Sequence, residues 1–206
     1  MIRKDQHDAG EYSPKINITV HNNEQSDDNT SLSEIMHSLS LRKTQKADLD
    51  YVLQAEYDDD NRQYIIPWSY QQHLQAIADS DIVHLIVQTE IKIGYVILAG
   101  LLNLNQSIEF RRIVITQKGQ GYGKDTVEII KKLVFETYKA HRLWLDVKEQ
   151  NHRAQAVYKG AGFVVEGKLR ECLKSENGYD SLIIMSVLQP EYEILASAAK
   201  NGGFSS

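Results

Sequence analysis

Residues Ile113 to Lys124 read IVITQKGQGYGK, an apolar β-branched run that stops at three alternate glycines before a helix-patterned stretch begins. Strand, glycine turn and helix start in that order aim backbone N–H groups at an anion. Glycine admits close approach, and the helix terminus adds unpaired donors and a partial positive charge. The stretch therefore predicts an anion-bearing ligand held mainly by main chain. Three glycine signatures compete for it. The GxxxxGK[ST] loop needs a glycine five residues before the GK pair and Ser or Thr after it, but Lys118 and Asp125 stand there. The dinucleotide pattern GxGxxG loses its third glycine, because Gly119, Gly121 and Gly123 are spaced by two. Asp146 nevertheless ends a strand at a fitting distance, so on these residues alone that reading stays open, as does a plain loop.

Composition narrows the classes. At 206 residues the chain is long enough for one domain with a full core, and 42% hydrophobic with 25% charged residues is ordinary for a soluble globular protein. A net charge of −5 argues against a general nucleic-acid binder and mildly for cationic partners. The single cysteine, Cys172, excludes an internal disulfide and a cysteine-based metal site, and fits a reducing compartment. Neither an apolar leader nor a membrane-length apolar run is visible, so the cytoplasm is the default expectation and no membrane partner is expected. The seven histidines show no ligand spacing. His141 and His152 are expected at the surface or as caps, and no metal is expected.

Residues 1–38 are polar and largely without periodicity, and are expected as a mobile extension in which only Lys15 to His21 alternates like a strand. From Leu39 the pattern is regular. SLRK is a short strand; Thr44 is placed to cap a helix carrying Leu49, Val52 and Leu53. That helix is expected to run out in the acidic Glu56 to Asp60, giving a loop. Pro67 and the Ser69–Gln72 capping box start a second helix with Leu74 and Ile77 inward. Strands follow at His84 to Gln88, Gly94 to Gly100 and Ile108 to Thr116. A long helix with Val127, Ile130, Leu133, Val134 and Tyr138 on one face comes next, then the strand Leu143 to Val147. A short helix with Ala154, Val157 and Tyr158 ends near Gly160 or Gly162, and two strands close the fold before a loose end at 193–206. The order β-α-α-β-β-β-α-β-α-β-β makes an α/β (α+β) chain with a mixed, mostly antiparallel central sheet flanked by helices. The helical crossover predicts one parallel pair.

A second segment decides between the glycine readings. Lys118-Gly119-Gln120-Gly121-Tyr122-Gly123 resembles the [Q/R]xxGxG/A loop of the GNAT acyl-CoA N-acyltransferase superfamily. Asn151 to Gly167, NHRAQAVYKGAGFVVEG, resembles that family's later motif in the right register. The resemblance covers about residues 39–192 and is strongest to the branch that acetylates ribosomal-protein N-termini and spermidine. It implies the GNAT fold and transfer of acetyl from acetyl-CoA to an amine by direct attack through a tetrahedral intermediate. It further implies that backbone groups of Ile113, Val114 and Ile115 pair with the pantetheine arm, in a slot opened by a bulge and a splayed strand. The N–H groups of Gly119, Gln120, Gly121, Tyr122, Gly123 and Lys124 would take the pyrophosphate. Asn151 and Ala154 would line the pantetheine, with Asn151 also able to cap its helix. Lys118 departs from Gln or Arg at the loop's first position, keeping a point charge but losing planar multidentate bonding.

For the chemistry, the resemblance implies Tyr158 as general acid to the departing thiolate, since a phenol with pKa of about 10 is protonated at neutral pH. An amine with a lysine-like pKa of about 10.4 must lose a proton before attack. Glu109, a carboxylate in an apolar strand, is the candidate base; pairing with Arg111 or Arg112 is the competing reading, and a water chain is another route. Trp68 and Trp144 are expected in the core or a pocket wall. Glu56 and Asp58 to Asp60 would border the acceptor site, either attracting a cation or standing as a solvated acidic loop. The acceptor is expected to be a small polyamine or a peptide N-terminal amine, and homo-oligomers occur in the family. The rival class is a non-catalytic acyl-CoA-binding module on the same fold.

Overall fold

The computed structural model describes residues 17–20, 39–175 and 178–201. Eight strands form one sheet: β1 (Asn17–Val20), β2 (Leu39–Lys43), β3 (Ile82–Gln88), β4 (Lys92–Ala99), β5 (Ser107–Ile115), β6 (Arg142–Lys148), β7 (Val164–Ser175) and β8 (Gly178–Leu188). Their spatial order is β1-β2-β3-β4-β5-β6-β8-β7, antiparallel throughout except for the parallel pair β5–β6. The connections explain this: hairpins join β3, β4 and β5, while β6 is reached through helix α4 (Tyr122–Lys132) and a π turn at Leu133–Thr137. On the other face lie α1 (Leu49–Tyr57) and α3 (Tyr70–Ala78); α2 (Asp59–Arg62) joins them, and α5 (His152–Gly160) and α6 (Gln189–Asn201) complete the helices.

Alternation along the strands sorts side chains into two cores. Val83, Leu85, Val96 and Leu98 join Val127, Ile130 and Leu133 of the α4 side, whereas Ile86, Tyr95, Ile97 and Val114 pack on Val52 and Ala55 of α1. In β5 the phase breaks: Ile108 and Phe110 share a core with Ile113 and Ile115, an odd step of three. Pairing runs from Ile97↔Arg112 to Ala99↔Glu109, so β5 carries one extra residue there. It is a β-bulge.

Several local expectations change. Thr44 does not cap the first helix; its hydroxyl lies 2.9 Å from His84 Nδ1. The first turn is closed instead by Asp48, which accepts from Gln45 N at 2.9 Å and binds Arg42 and Lys92. The acidic run is not a loop: Asp58 caps α2 by accepting from Asp60 N at 3.0 Å, so these acids meet a helix N-terminus, which favours them. α3 keeps its Ser69–Gln72 box but turns His73 and Ala76 inward, leaving Leu74 and Ile77 half-buried. The chain end is helical as far as Asn201, anchored by Tyr192 stacked on Phe135 at 4.9 Å. Except for β1, the polar extension lies outside the described residues.

The smaller core contains a buried polar hub. Glu56, wholly enclosed in α1, accepts from Tyr95 Oη, Arg112 Nη1 and, at 2.7 Å, Trp68 N. Burial alone would raise its carboxyl, but His73, Tyr95 and the Arg112 charge outweigh burial and hold it low. His73 Nε2 stands 3.2 Å from Glu56 Oε1 without aligned hydrogen-bond geometry, so the contact is electrostatic. His73 Nδ1 in turn meets His84 Nε2 at 3.1 Å. Burial, followed by the charge of His73, pushes His84 down to about 3. A depressed histidine stays neutral in the fold while the unfolded chain takes up a proton below about 6.5, so its contribution to stability is full above that pH and is lost as pH falls. Denaturant titrations should show this group alone removing about 2 kcal/mol between pH 7 and pH 5. His84→Gln should flatten that slope.

Candidate active site

β5 pairs with β6 only at Ser107↔Arg142, Ile108↔Leu143 and Glu109↔Trp144. From Phe110 onward, where the bulge lies, the two strands part, and the edge of β5 facing β6 has no partner strand among the described residues. A cavity of about 790 Å³ fills the parting, running from Asp146 on β6 to the glycine turn below α4. Ile113, Val114 and Ile115 line it while their other edge stays paired to Val96, Tyr95 and Gly94. The slot is thus a sheet edge inside the protein, shaped to accept an extended chain.

The turn that follows is built from left-handed glycines. Gly119 has φ of 80° and Gly121 has φ of 81°, conformations that cost a side-chain residue about 1–2 kcal/mol. Gly121 is the residue before the first turn of α4, and a Cβ placed at Gly119, Gly121 or Gly123 would meet no atom within 4 Å. That open cradle of N–H groups at a helix start suits an anion. Lys118, Tyr122 and Lys124 join these glycines on the wall; Gln120 is exposed and does not. Across the cavity Asn151 caps α5, accepting from Ala154 N at 3.1 Å, so it caps the helix and lines the cavity, as does Ala154.

Tyr158 reaches the same wall from α5, packed edge-on to Phe110 at 6.3 Å and against Phe163. Burial, then the charge of Asp146, raises its phenol, so it stays protonated. Of the two readings of Glu109, base on the site or partner of an arginine, the structure shows the arginine pairing. Glu109 is half-buried, accepts from Arg111 Nη2 at 2.6 Å, and lies off the cavity wall. The carboxylate on the wall is Asp146. It is exposed to the cavity yet lies deep among protein atoms; that depth, then the charge of Glu109, raises its carboxyl against the pull of Arg111. In the sequence the only signal was a carboxylate where the apolar LWL strand gives way, and its orientation depended on the splay.

One side of the cavity is walled by the connection from α2 to α3. Lys148 Nζ donates to Gln63 O at 3.0 Å, and Arg112 Nη2 donates to Ile66 O at 2.8 Å while its guanidinium covers Trp68 at 4.7 Å. Glu56 sits beneath as the anchor of Arg112 rather than as a rim acid. Trp144 carries Arg142 at 5.5 Å, away from the cavity lining. No group of three His, Cys, Asp or Glu gathers as a metal site among the described residues.

Bulge, splayed slot, glycine cradle and opposing tyrosine together define a class, the acetyltransferases of the GNAT domain, whose family model matches residues 38–164. The chain belongs to that family. It is similar to the spermidine N(1)-acetyltransferase of Escherichia coli K12, 26% identical over 169 residues, covering 76% of this chain and 89% of that one. Among solved structures it resembles the Vibrio cholerae spermidine N-acetyltransferase in complex with CoA and spermine. That likeness has a TM-score of 0.69 and 25% identity over 75% of this chain and 97% of that one. A dodecameric form of the same Vibrio enzyme aligns with a TM-score of 0.65 at 25% identity over 75% of this chain and 95% of that one. Gly121→Ala should lower folding stability by about 1–2 kcal/mol through its φ and also shrink the melting-temperature rise produced by CoA. A CoA-induced shift equal to that of the unaltered protein would contradict the placement of the cradle.

Proposed function

We propose that this protein transfers the acetyl group of acetyl-CoA to a primary amine of a small, polyamine-like acceptor. The observation that carries the reading is that Tyr158 and Asp146 share the wall of the slot where β5 leaves β6, beside the glycine cradle. The thioester of acetyl-CoA supplies the activated acyl group. The unpaired edge of β5 binds the pantetheine arm like an added strand, and one of its N–H groups polarises the thioester carbonyl. The glycine-turn N–H groups and Lys118 hold the pyrophosphate.

The acceptor arrives as an ammonium, and Asp146 takes its proton. A carboxyl raised by its surroundings is a better match for that task than an ordinary aspartate. Asp146 takes this role in place of Glu109 because it lines the cavity; Glu109, held by Arg111, acts on it by charge. The free amine attacks the carbonyl carbon, the C–S bond breaks, Tyr158 gives its proton to the leaving thiolate, and the proton shed by the new amide nitrogen restores the phenol. Enclosure of the acceptor end by the Lys148–Gln63 bond favours a slender amine over the N-terminus of a folded protein. The spermidine-acetylating relatives support the same choice. Self-association belongs to the proposal too, since edge strand β7 leaves Val164, Val165 and Leu169 exposed and one relative is dodecameric. So does residence in the cytoplasm, where exposed Cys172 would remain reduced.

Thiol release from acetyl-CoA, followed across polyamines, amino acids and peptide N-termini, tests this. Release with spermidine or spermine is expected; silence across the panel, or release with peptides alone, would overturn the reading. Tyr158→Phe should lower kcat by about 10²–10⁴-fold with little change in KM for acetyl-CoA. Asp146→Asn should lower kcat comparably and remove the acidic limb of the pH–rate profile, since the raised carboxyl must ionise before it can accept a proton. An unaltered limb would return the base to Glu109 or to water.

A further inference from the structure

We infer that Asn61 is a positioning residue for cofactor binding, a buried amide that holds the Lys118 ammonium in place for the pyrophosphate. Asn61 is 5% exposed, the only inward-facing residue of α2, whose other three members are exposed. Its Nδ2 donates to Ala55 O at 2.8 Å, one of the carbonyls that the end of α1 leaves without a helical partner. That bond settles which way the amide points. The nitrogen faces α1, so Oδ1 faces the cavity, where it accepts from Lys118 Nζ.

This arrangement answers the departure at the head of the glycine turn. A lysine is a flexible point charge with large rotamer entropy, whereas the planar head it replaces arrives with its donors fixed. An ammonium has three donors; Asn61 engages one and leaves two for an anion in the cradle. Lys118 is half-buried, which costs its charge some hydration, and its protonation is further opposed by Arg153 and supported by Asp58 and Asp60. Freezing the side chain beforehand shifts its ordering cost from binding to folding. α2 owes its place to Asp58 at its N-cap and to the Asn61–Ala55 bond, so the acceptor-side wall and the pyrophosphate turn are joined through one amide.

The inference rests on the acetyl-CoA reading, and calorimetry keeps the two apart. If the unaltered protein fails to bind CoA, the functional reading itself falls, and this inference with it. Given binding, Asn61→Ala should weaken CoA roughly tenfold, the scale of immobilising one rotamer-rich side chain. Lys118→Ala should weaken it at least as much, and the double variant should bind no worse than Lys118→Ala, because Asn61 acts through Lys118. S-acetylpantetheine, which lacks the pyrophosphate, should be used by the Asn61 variant with unchanged KM, a readout that general loosening of the fold would alter. Should Asn61→Ala fail to fold, the isosteric Asn61→Asp, whose charge would occupy Lys118, should weaken CoA and spare S-acetylpantetheine. Unchanged CoA affinity in the folded Asn61 variant, additive losses in the double variant, or a raised KM for S-acetylpantetheine would each overturn the inference.

Discussion

Everything at the site depends on β5 having, among the described residues, a partner strand on one edge only after Glu109. Parallel pairing with β6 lasts three residues, and the bulge then bends β5 and advances its side chains by one step. A backbone edge inside a protein is costly to leave unmade, which makes it a strong recognition surface for an extended ligand with amide groups. The same bend sets which side chains face the parting. Phe110 packs on Tyr158, and Arg111 turns to Glu109. The bulge is therefore the step that converts a sheet into a slot.

The second organising interaction is the buried carboxylate of Glu56. A charge sealed in a protein must be matched by donors, and here a phenol, a guanidinium and a backbone N–H come from β4, β5 and the start of α3. Arg112, fixed by Glu56, reaches the Ile66 carbonyl and so anchors the connection that walls the cavity. The hub thus belongs to the architecture of the site without facing it. Its His84 adds a pH dependence that originates in the fold rather than in the chemistry.

Local chemistry was legible wherever it depended on near neighbours in the chain. The Ser69–Gln72 box, the α4 stripe and the glycine turn were readable because capping, helical spacing and positive φ are settled within a few residues. Asn151 and Tyr158 belong to one contiguous motif, and α5 turns both to the same cavity wall. The acids after Glu56 were misread because the chain alone does not show that α2 begins at once, which turns an unfavourable C-terminus into a favourable N-terminus. Glu109 drew attention as a carboxylate in an apolar strand, but Arg111, two residues along the same strand, claims it.

By itself, then, the sequence carried the order of the strands from β2 to β8 with α1, α3, α4 and α5 between them, the glycine turn, and the family through two contiguous motifs, while α2 and α6 escaped it. Only the tertiary structure decided that Asp146 rather than Glu109 lines the slot, that Glu56 is a structural hub, and that Asn61 meets Lys118. Each of these joins residues distant in the chain, 56 positions apart for Glu56 and Arg112 and 57 for Asn61 and Lys118. The physical reason is one of direction. A strand's alternation says that two faces exist, but a bulge, a splay and the packing of opposite layers decide which face a given side chain meets.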